Sequence, residues 1–403
     1  MPSSGKVPAI GTQLSPELAA RILGEVRSRK EEWLGYLERL TLNESPSTEP
    51  ESQLHVLDLI GWSLEELGLR VRRIPGRTTG GAILARPPGR RGAPAQLLLG
   101  HTDTVWPRGT LDEMPLQQEG SIVRGPGVFD MKAGLTQIVF ALRALDRLEL
   151  EPEVSPVVFV NSDEEIGSPE STQHVRRLAR AVCRAFVLEP ALGVEGRLKT
   201  ARKGTGHFSI RVIGRGAHSG LDPERGASAI QELSMVIQTL HALTDPEEGI
   251  VVNVGQIQGG VRPNVVAASA SAEVDIRVNT LEQARWIEER VRGLEPFVPG
   301  CTIQIEGDVR RPPLERTPGN RQLWEQARAL GKLLGVPLDE GRAGGASDGN
   351  TTSVYTPTLD GLGAVGDGAH ASHEYVEVDR SLERCALLAC LLLLPPSPSG
   401  KAE

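Results

Sequence analysis

LLLGHTDTV, residues 97–105, runs three leucines into a histidine and an aspartate, and its reading decides the fold. An unbroken apolar triplet suits a central strand of a parallel sheet, because such a strand is buried on both faces and shows no alternation. Two further runs share this character. Residues 157–160 lead into Asp163, Glu164 and Glu165 within FVNSDEEIGS, and residues 185–188 lead into Glu189 within AFVLEP. Between the first of these runs and the second, GPGVFDMKAG at 125–134 presents Asp130. Open α/β sheets bind ligands beyond the carboxyl ends of their strands, where the histidine and carboxylates closing these runs fall.

One imidazole with several carboxylates makes a hard, oxygen-rich donor set, which fits Zn²⁺, Co²⁺ or Mn²⁺ better than a thiolate-seeking metal. The set suggests a dinuclear site, in which one of two adjacent carboxylates holds metal while the other moves a proton. Taken singly, each piece has an ordinary reading. A His-x-Asp is usually structural, paired glutamates usually mark a solvated face or a helix start, and Glu189 before Pro190 can be a plain strand end. The recurrence of an apolar run closed by a ligand-type residue is what joins four weak signals into a strong one.

The remaining chain fits an enzyme of two domains. Its 403 residues exceed the usual single-domain size, and a net charge of −8 argues against nucleic acid or an anionic membrane as partner. Cys183, Cys301, Cys385 and Cys390 show no CxxC spacing, which indicates neither a zinc ribbon nor a disulfide framework. RCALLACLLLL at 384–394 is too short to span a bilayer and reads as a buried helix. The first forty residues have helical spacing at Leu18, Ile22 and Val26 and lack the apolar core of a signal peptide, so the expected location is the cytoplasm. Pro and Ser at 395–399 read as a short disordered tail.

Helix and strand patterns alternate from about 15 to 198, with amphipathic helices at 54–67 and 134–148. The pattern changes at Gly204. HFSIRVIG (207–214) reads as a strand, 227–243 as a helix, 250–259 and 265–278 as strands, 281–294 as a helix and 301–307 as a strand. That βαββαβ order is a ferredoxin-like unit. A helix at 320–335 then returns the chain to its first domain. The expectation is an α/β protein: a domain of residues 1–200 and 310–403, with a mostly parallel sheet between helices, and an inserted ferredoxin-like domain at 201–309.

At these segments the chain resembles the M20 family of metallopeptidases and amidohydrolases, most closely its glutamate carboxypeptidase branch. GRGAHSG (214–220), GGASDGN (344–350) and GDGAHASHEYV (366–376) extend the likeness in the same order over nearly everything after residue 40. The resemblance implies two zinc ions, with Co²⁺ or Mn²⁺ as possible substitutes. It makes His101 and Glu189 ligands of one ion, Glu165 and His370 ligands of the other, Asp130 the bridge and Glu164 the general base. Asp103 would orient the His101 imidazole and raise its basicity. The family spacing selects His370 over His373, which is left as a loop histidine.

The same resemblance makes the inserted domain a dimer interface and lid, with His218 reaching the partner's site to stabilise the oxyanion. Without it, His218 between glycines is a turn residue. Asn264 and Arg277 match residues that hold a substrate carboxylate. Arg277 has a competing reading as an ion pair with Glu273 or Asp275 on the exposed face of its strand, and Lys203 has one as a solvated lysine. Backbone N–H groups from Gly344 to Gly349, Gly345 among them, offer an anion nest. Ala346 departs from the family, which often has a third glycine there. The implied reaction is hydrolysis of a peptide or N-acyl amino acid by a metal-activated water, as a carboxypeptidase releasing glutamate or a similar residue. The alternatives are an N-acyl-amino-acid deacylase of acetylornithine or succinyl-diaminopimelate type and, from another class, a non-catalytic ligand-binding relative. No cysteine in a plausible catalytic setting points to a covalent intermediate.

Overall fold

The computed structural model describes residues 14–90 and 92–396; of the expected tail, 397–399 lie outside the described residues. The chain forms two compact units. One comprises the described part of Met1–Thr200 with Arg316–Gly341 and the described part of Tyr355–Glu403; the other comprises Ala201–Glu315 with Arg342–Val354. The glycine-rich loop at 344–350 thus packs with the second unit, whereas the expected boundaries assign it to the first.

In the first unit six strands lie in the order Arg70–Ile74, Ala82–Arg86, Ser155–Asn161, Ala95–His101, Arg184–Val187 and Thr358–Leu359. Ala95–His101 pairs in parallel with both of its neighbours, Thr358–Leu359 extends the parallel set, and Ala82–Arg86 runs antiparallel. Alternate side chains enter different cores. Leu98, Val158, Val160 and Phe186 pack with Ile22, Ile138, Leu330 and Leu388, which come from the helices Pro16–Ser28, Ala133–Arg147, Pro318–Leu334 and Val378–Leu392. Leu97, Leu99, Phe159, Ala185 and Val187 pack on the other face with Val175 of the helix Thr172–Ala179. Burial on both faces is why the leucine triplet shows no polar alternation. Truncating Leu98, which is 0% exposed, to alanine would cost about 2–5 kcal/mol.

The apolar stretch at 384–394 falls largely in the helix Val378–Leu392, whose terminal carbonyls are met by buried side chains. Gln96 Nε2 donates to the Leu392 carbonyl at 2.9 Å, and Arg184 donates to those of Leu394 and Pro395 at 2.6 and 3.0 Å. A buried helix end needs such donors. No helix among the described residues is long and apolar enough to cross a membrane.

The second unit is a four-stranded antiparallel sheet in the order Val251–Gly259, Ser269–Val278, Gly204–Ile213 and Thr302–Arg311, with the helices Ala229–His241 and Leu281–Arg292. In chain order this is the expected βαββαβ unit. Phe208, Ile210, Val274 and Ile276 point into its core with Val236 and Ile287, while His207, Asp275 and Arg277 lie on the opposite face. Strand boundaries differ from the sequence pattern in places: the strand expected from 207 begins at Gly204, and the one expected to end at 307 runs to Arg311. The strand expected from 265 begins at Ser269, because Val265 bridges His218 and the Val266 N–H bonds the Ala217 carbonyl, which draws that segment into a loop.

Candidate metal centre

The ends of the three central strands and two loops of the first unit converge. His101 closes its strand directly opposite Asn161 in parallel register, which brings the strand end 101–103 beside the segment 162–165. Asp103 splints the two. One of its carboxylate oxygens accepts the Glu164 N–H at 3.1 Å, and the other accepts the Glu165 N–H at 3.1 Å and the Ser47 hydroxyl at 2.8 Å. The carboxylate expected to orient His101 thus also holds the 164–165 backbone. His101 Nδ1–H donates to the Asp103 backbone carbonyl at 2.9 Å, and the carboxylate oxygen stands 3.4 Å away. Either way Nδ1 carries a proton, which leaves Nε2 as the nitrogen that faces the site.

Asp130 lies between two imidazoles. Its Oδ1 is 3.3 Å from His101 Nε2, and its Oδ2 is 3.6 Å from His370 Nε2. Each imidazole has a further carboxylate of its own: Glu189 Oε1 at 3.5 Å from His101, and Glu165 Oε2 at 3.1 Å from His370. Donor atoms of His101, Asp130 and Glu165 lie within 4.8 Å of one another, as do those of His101, Glu164 and Glu189. Glu164 therefore sits close enough to serve as base or as ligand.

The donor set fits a cation on a direct observation. His101 Nε2 and Asp130 Oδ1 are buried and make no hydrogen bond, a costly arrangement that a metal facing both would relieve. The electrostatics agree. Burial opposes charge on His101, but Asp103, Asp130 and Glu189 outweigh it and hold its pKa well above the ordinary value. The hydrogen bond to Glu165 raises His370 to about 9. Desolvation, with repulsion from Asp130, raises Glu165 to about 7. For Asp103 burial acts upward, yet the nearby His101 imidazole and the hydrogen bonds from Ser47 and the Glu165 N–H hold it below the usual carboxylate range. Crowded carboxylates that keep protons are those a divalent cation would discharge.

His370 is at the tip of a hairpin whose arms, Gly366–Asp367 and Tyr375–Glu377, pair antiparallel. Its φ of 62° is left-handed, a conformation costing a non-glycine residue roughly 1–3 kcal/mol. His373 is exposed. Gly127, with φ 73°, turns the loop that delivers Asp130, and a Cβ there would lie 2.6 Å from Thr104 Cγ2.

The remaining expected residues belong to the second unit. His218 is exposed, and its Nδ1 accepts the Gly220 N–H at 3.2 Å, which leaves the ring proton on Nε2. Asn264, also exposed, is adjacent through the bond from the Ser219 N–H to the Asn264 carbonyl at 3.1 Å. Arg277 forms a two-pronged pair with Asp275, Nε at 2.8 Å and Nη2 at 3.1 Å, the structural alternative raised by the sequence. Lys203 Nζ donates to the Gly249 carbonyl at 2.9 Å and so is not simply solvated. Gly345 is exposed. The proposed nest is partly used up: the Ser347 N–H bonds Asn350 Oδ1 and the Gly349 N–H bonds Ser347 Oγ, together capping the short helix Asp348–Ser353.

Several site residues escape spacing arguments. Ser47 meets Asp103 from 56 residues upstream, Lys199 Nζ lies 3.9 Å from Glu189 Oε2, and Glu374 accepts hydrogen bonds from the Asp130 loop. Only the position of Glu374 in the 366–376 segment offered any signal.

Comparison with known proteins follows the same lines. Residues 97–394 match the family described as Peptidase family M20/M25/M40. Carboxypeptidase G2 of Pseudomonas sp. (strain RS-16) is 27% identical over 367 residues, covering 89% of this chain and 88% of the relative. Acetylornithine deacetylase of Salmonella arizonae is 32% identical over 358 residues, covering 79% and 85%. Among solved structures, the aminopeptidase PepT from Bacillus cereus superposes with a TM-score of 0.72 at 19% identity, covering 90% of this chain and 98% of that one.

Proposed function

The chain belongs to peptidase family M20/M25/M40, and on that premise we propose that it is a two-metal hydrolase that cleaves an amide bond to release a C-terminal amino acid, as a glutamate-type carboxypeptidase does. One observation carries the two-metal reading: Asp130 turns one oxygen to His101 at 3.3 Å and the other to His370 at 3.6 Å. His101 and Glu189 would hold one ion and His370 and Glu165 the other, with Asp130 shared. Zinc is the metal we assign, since imidazole and carboxylate donors suit it, with Co²⁺ or Mn²⁺ able to substitute.

When bound, the ions supply Lewis-acid polarisation of the scissile carbonyl and a lowered pKa for the attacking water. The protein moves the proton. Glu164, held by its N–H on Asp103, accepts a proton from that water and delivers it to the departing amine nitrogen. Asp103 fixes Glu164, Glu165 and His101 relative to one another, so reaction loses little to reorganisation. His218, with its proton on Nε2, is the donor we assign to the developing oxyanion. Arg277 and Asn264 would hold the substrate carboxylate, with Lys203 and Gly345 bordering the pocket; the Asp275 pair uses Nε and Nη2 of Arg277.

We further propose a homodimer formed through the second unit. The strand Val251–Gly259 is an edge of its sheet, and Ile257 on it and Val261 just beyond are 64% and 84% exposed, an edge that a partner strand would cover. Deacylation of N-acyl amino acids is the second reading, supported by the 32% identity to an acetylornithine deacetylase. Hydrolysis rates on N-acyl glutamates, dipeptides with varied C-terminal residues and N-acetyl amino acids separate the two. Preference for a free C-terminal glutamate supports the first, and preference for the acetyl group over any C-terminal residue supports the second.

A further inference from the structure

Glu374 has no part in the chemistry above, yet three of the four hydrogen bonds to its carboxylate come from the loop that delivers Asp130. Its Oε1 accepts the N–H groups of Phe129 and Asp130 at 2.9 and 3.0 Å. Its Oε2 accepts the Gly127 N–H at 2.9 Å and the Trp106 indole N–H at 2.8 Å. These four donors match the acceptor capacity of an ionised carboxylate. The side chain is 0% exposed, so water cannot replace it. The backbone adds a further tie through the Gly125 N–H and the Glu374 carbonyl at 3.4 Å. Lys132, fully buried on the same loop with Nζ donating to the Asn43 carbonyl at 2.9 Å, contributes a positive charge that interacts with Glu374.

We infer that Glu374 is a positioning residue for the metal centre: it locks the Asp130 loop to the hairpin that carries His370, so that the shared carboxylate and the second imidazole are set by one clamp. Both ligands of the Asp130–His370 side then depend on a group that touches neither metal nor substrate. The inference rests on the two-metal reading for which ions feel the clamp, but the clamp itself is a matter of hydrogen bonds. Glutamine is a severe replacement here despite its shape. Its amide has one acceptor oxygen and an NH₂, and in either orientation the NH₂ would face two N–H donors.

The test is titration of chelator-stripped protein with Zn²⁺ by calorimetry and with Co²⁺ by visible absorption, for wild type, Glu374→Gln and Trp106→Phe. Partners outside the ligand set typically change metal affinity by about 10–100-fold. That loss is expected for Glu374→Gln, with an altered Co²⁺ spectrum, and a smaller loss for Trp106→Phe, which removes a single donor and keeps an aromatic ring in its place. A lowered melting temperature with unchanged affinity and spectrum in both variants would overturn the inference, because it would make Glu374 merely structural. Stoichiometry reports separately on the two-metal reading. A wild type that binds one ion, bound more weakly by the variants, would sink that reading and leave the clamp standing.

Discussion

Replacing Glu164 by glutamine removes a proton acceptor, whereas the same change at Glu165 removes a charge from the metal. The two neighbours share a backbone held by the same Asp103 carboxylate, yet face different groups. Glu165 lies 3.1 Å from His370, while a Glu164 oxygen shares its surroundings with His101 and Glu189. Glu164→Gln should keep both ions and lose about 10²–10⁴ in kcat, or about 2.7–5.4 kcal/mol at roughly 1.36 kcal/mol per decade. Glu165→Gln should behave oppositely. Desolvation already raises its carboxyl to about 7 in the metal-free protein, so a neutral amide should leave the metal-free melting temperature unchanged or higher. Metal affinity should fall by more than the roughly 10–100-fold expected of residues outside the ligand set. Metal content after gel filtration, single-turnover rates and melting curves with and without chelator give the needed comparison. If both variants lose metal equally, or Glu164→Gln alone does, the division of roles is wrong, and the position of Glu164 beside His101 and Glu189 would then mark it as a ligand.

Three further outcomes follow from the geometry. Asp103→Asn leaves at least one of its three partners, Ser47 or the Glu164 or Glu165 N–H, facing an amide NH₂; a penalty of about 1–3 kcal/mol per orphaned group should appear in the chemical denaturation midpoint, and an unchanged midpoint would refute the splint. In the metal-free protein Glu165 is raised from 4.5 to about 7 and His370 from 6.5 to about 9, so the folded state holds extra protons. Its stability should therefore fall as pH rises from about 5 to about 9 while metal binding tightens, and melting temperatures that rise over that range in chelator would contradict it. Arg277→Ala should reduce kcat/KM on substrates with a free carboxylate by about 2–4 kcal/mol, spare their amides, and cost about 1 kcal/mol or less in stability through the half-exposed Asp275 pair. Arg277→Lys should recover only part, and equal losses on both substrate types would remove Arg277 from the pocket.

What the sequence could reveal was set by the range of the interaction. The strands at 95–101, 155–161 and 184–187 were legible because burial on both faces removes polar residues from a local run, and His101, the 163–165 triplet and Glu189 stand where those runs stop. Helices were legible by the same logic: the patterns at 54–67 and 134–148 correspond to Pro50–Glu66 and Ala133–Arg147. His370 follows no periodic run, and only the family likeness singled it out. The late start of the strand Ser269–Val278 depended on a pairing with the 217–218 loop that no window of residues contains. Likewise the N–H groups at 347 and 349 looked free for an anion until the cap of the following helix claimed them. Glu374 shows the limit most clearly, for its partners lie 244 to 268 residues away in the chain.

The central claim is that one carboxylate, Asp130, serves two metal ions. Chelator-stripped protein loaded stepwise with Zn²⁺ or Co²⁺, with bound metal and hydrolysis followed together, tests it most directly. The account predicts two ions per chain at saturation and full activity only once the second is bound, with Asp130→Asn weakening both. Full activity at one tightly bound ion per chain, or loss of only one ion in the Asp130 variant, would contradict it.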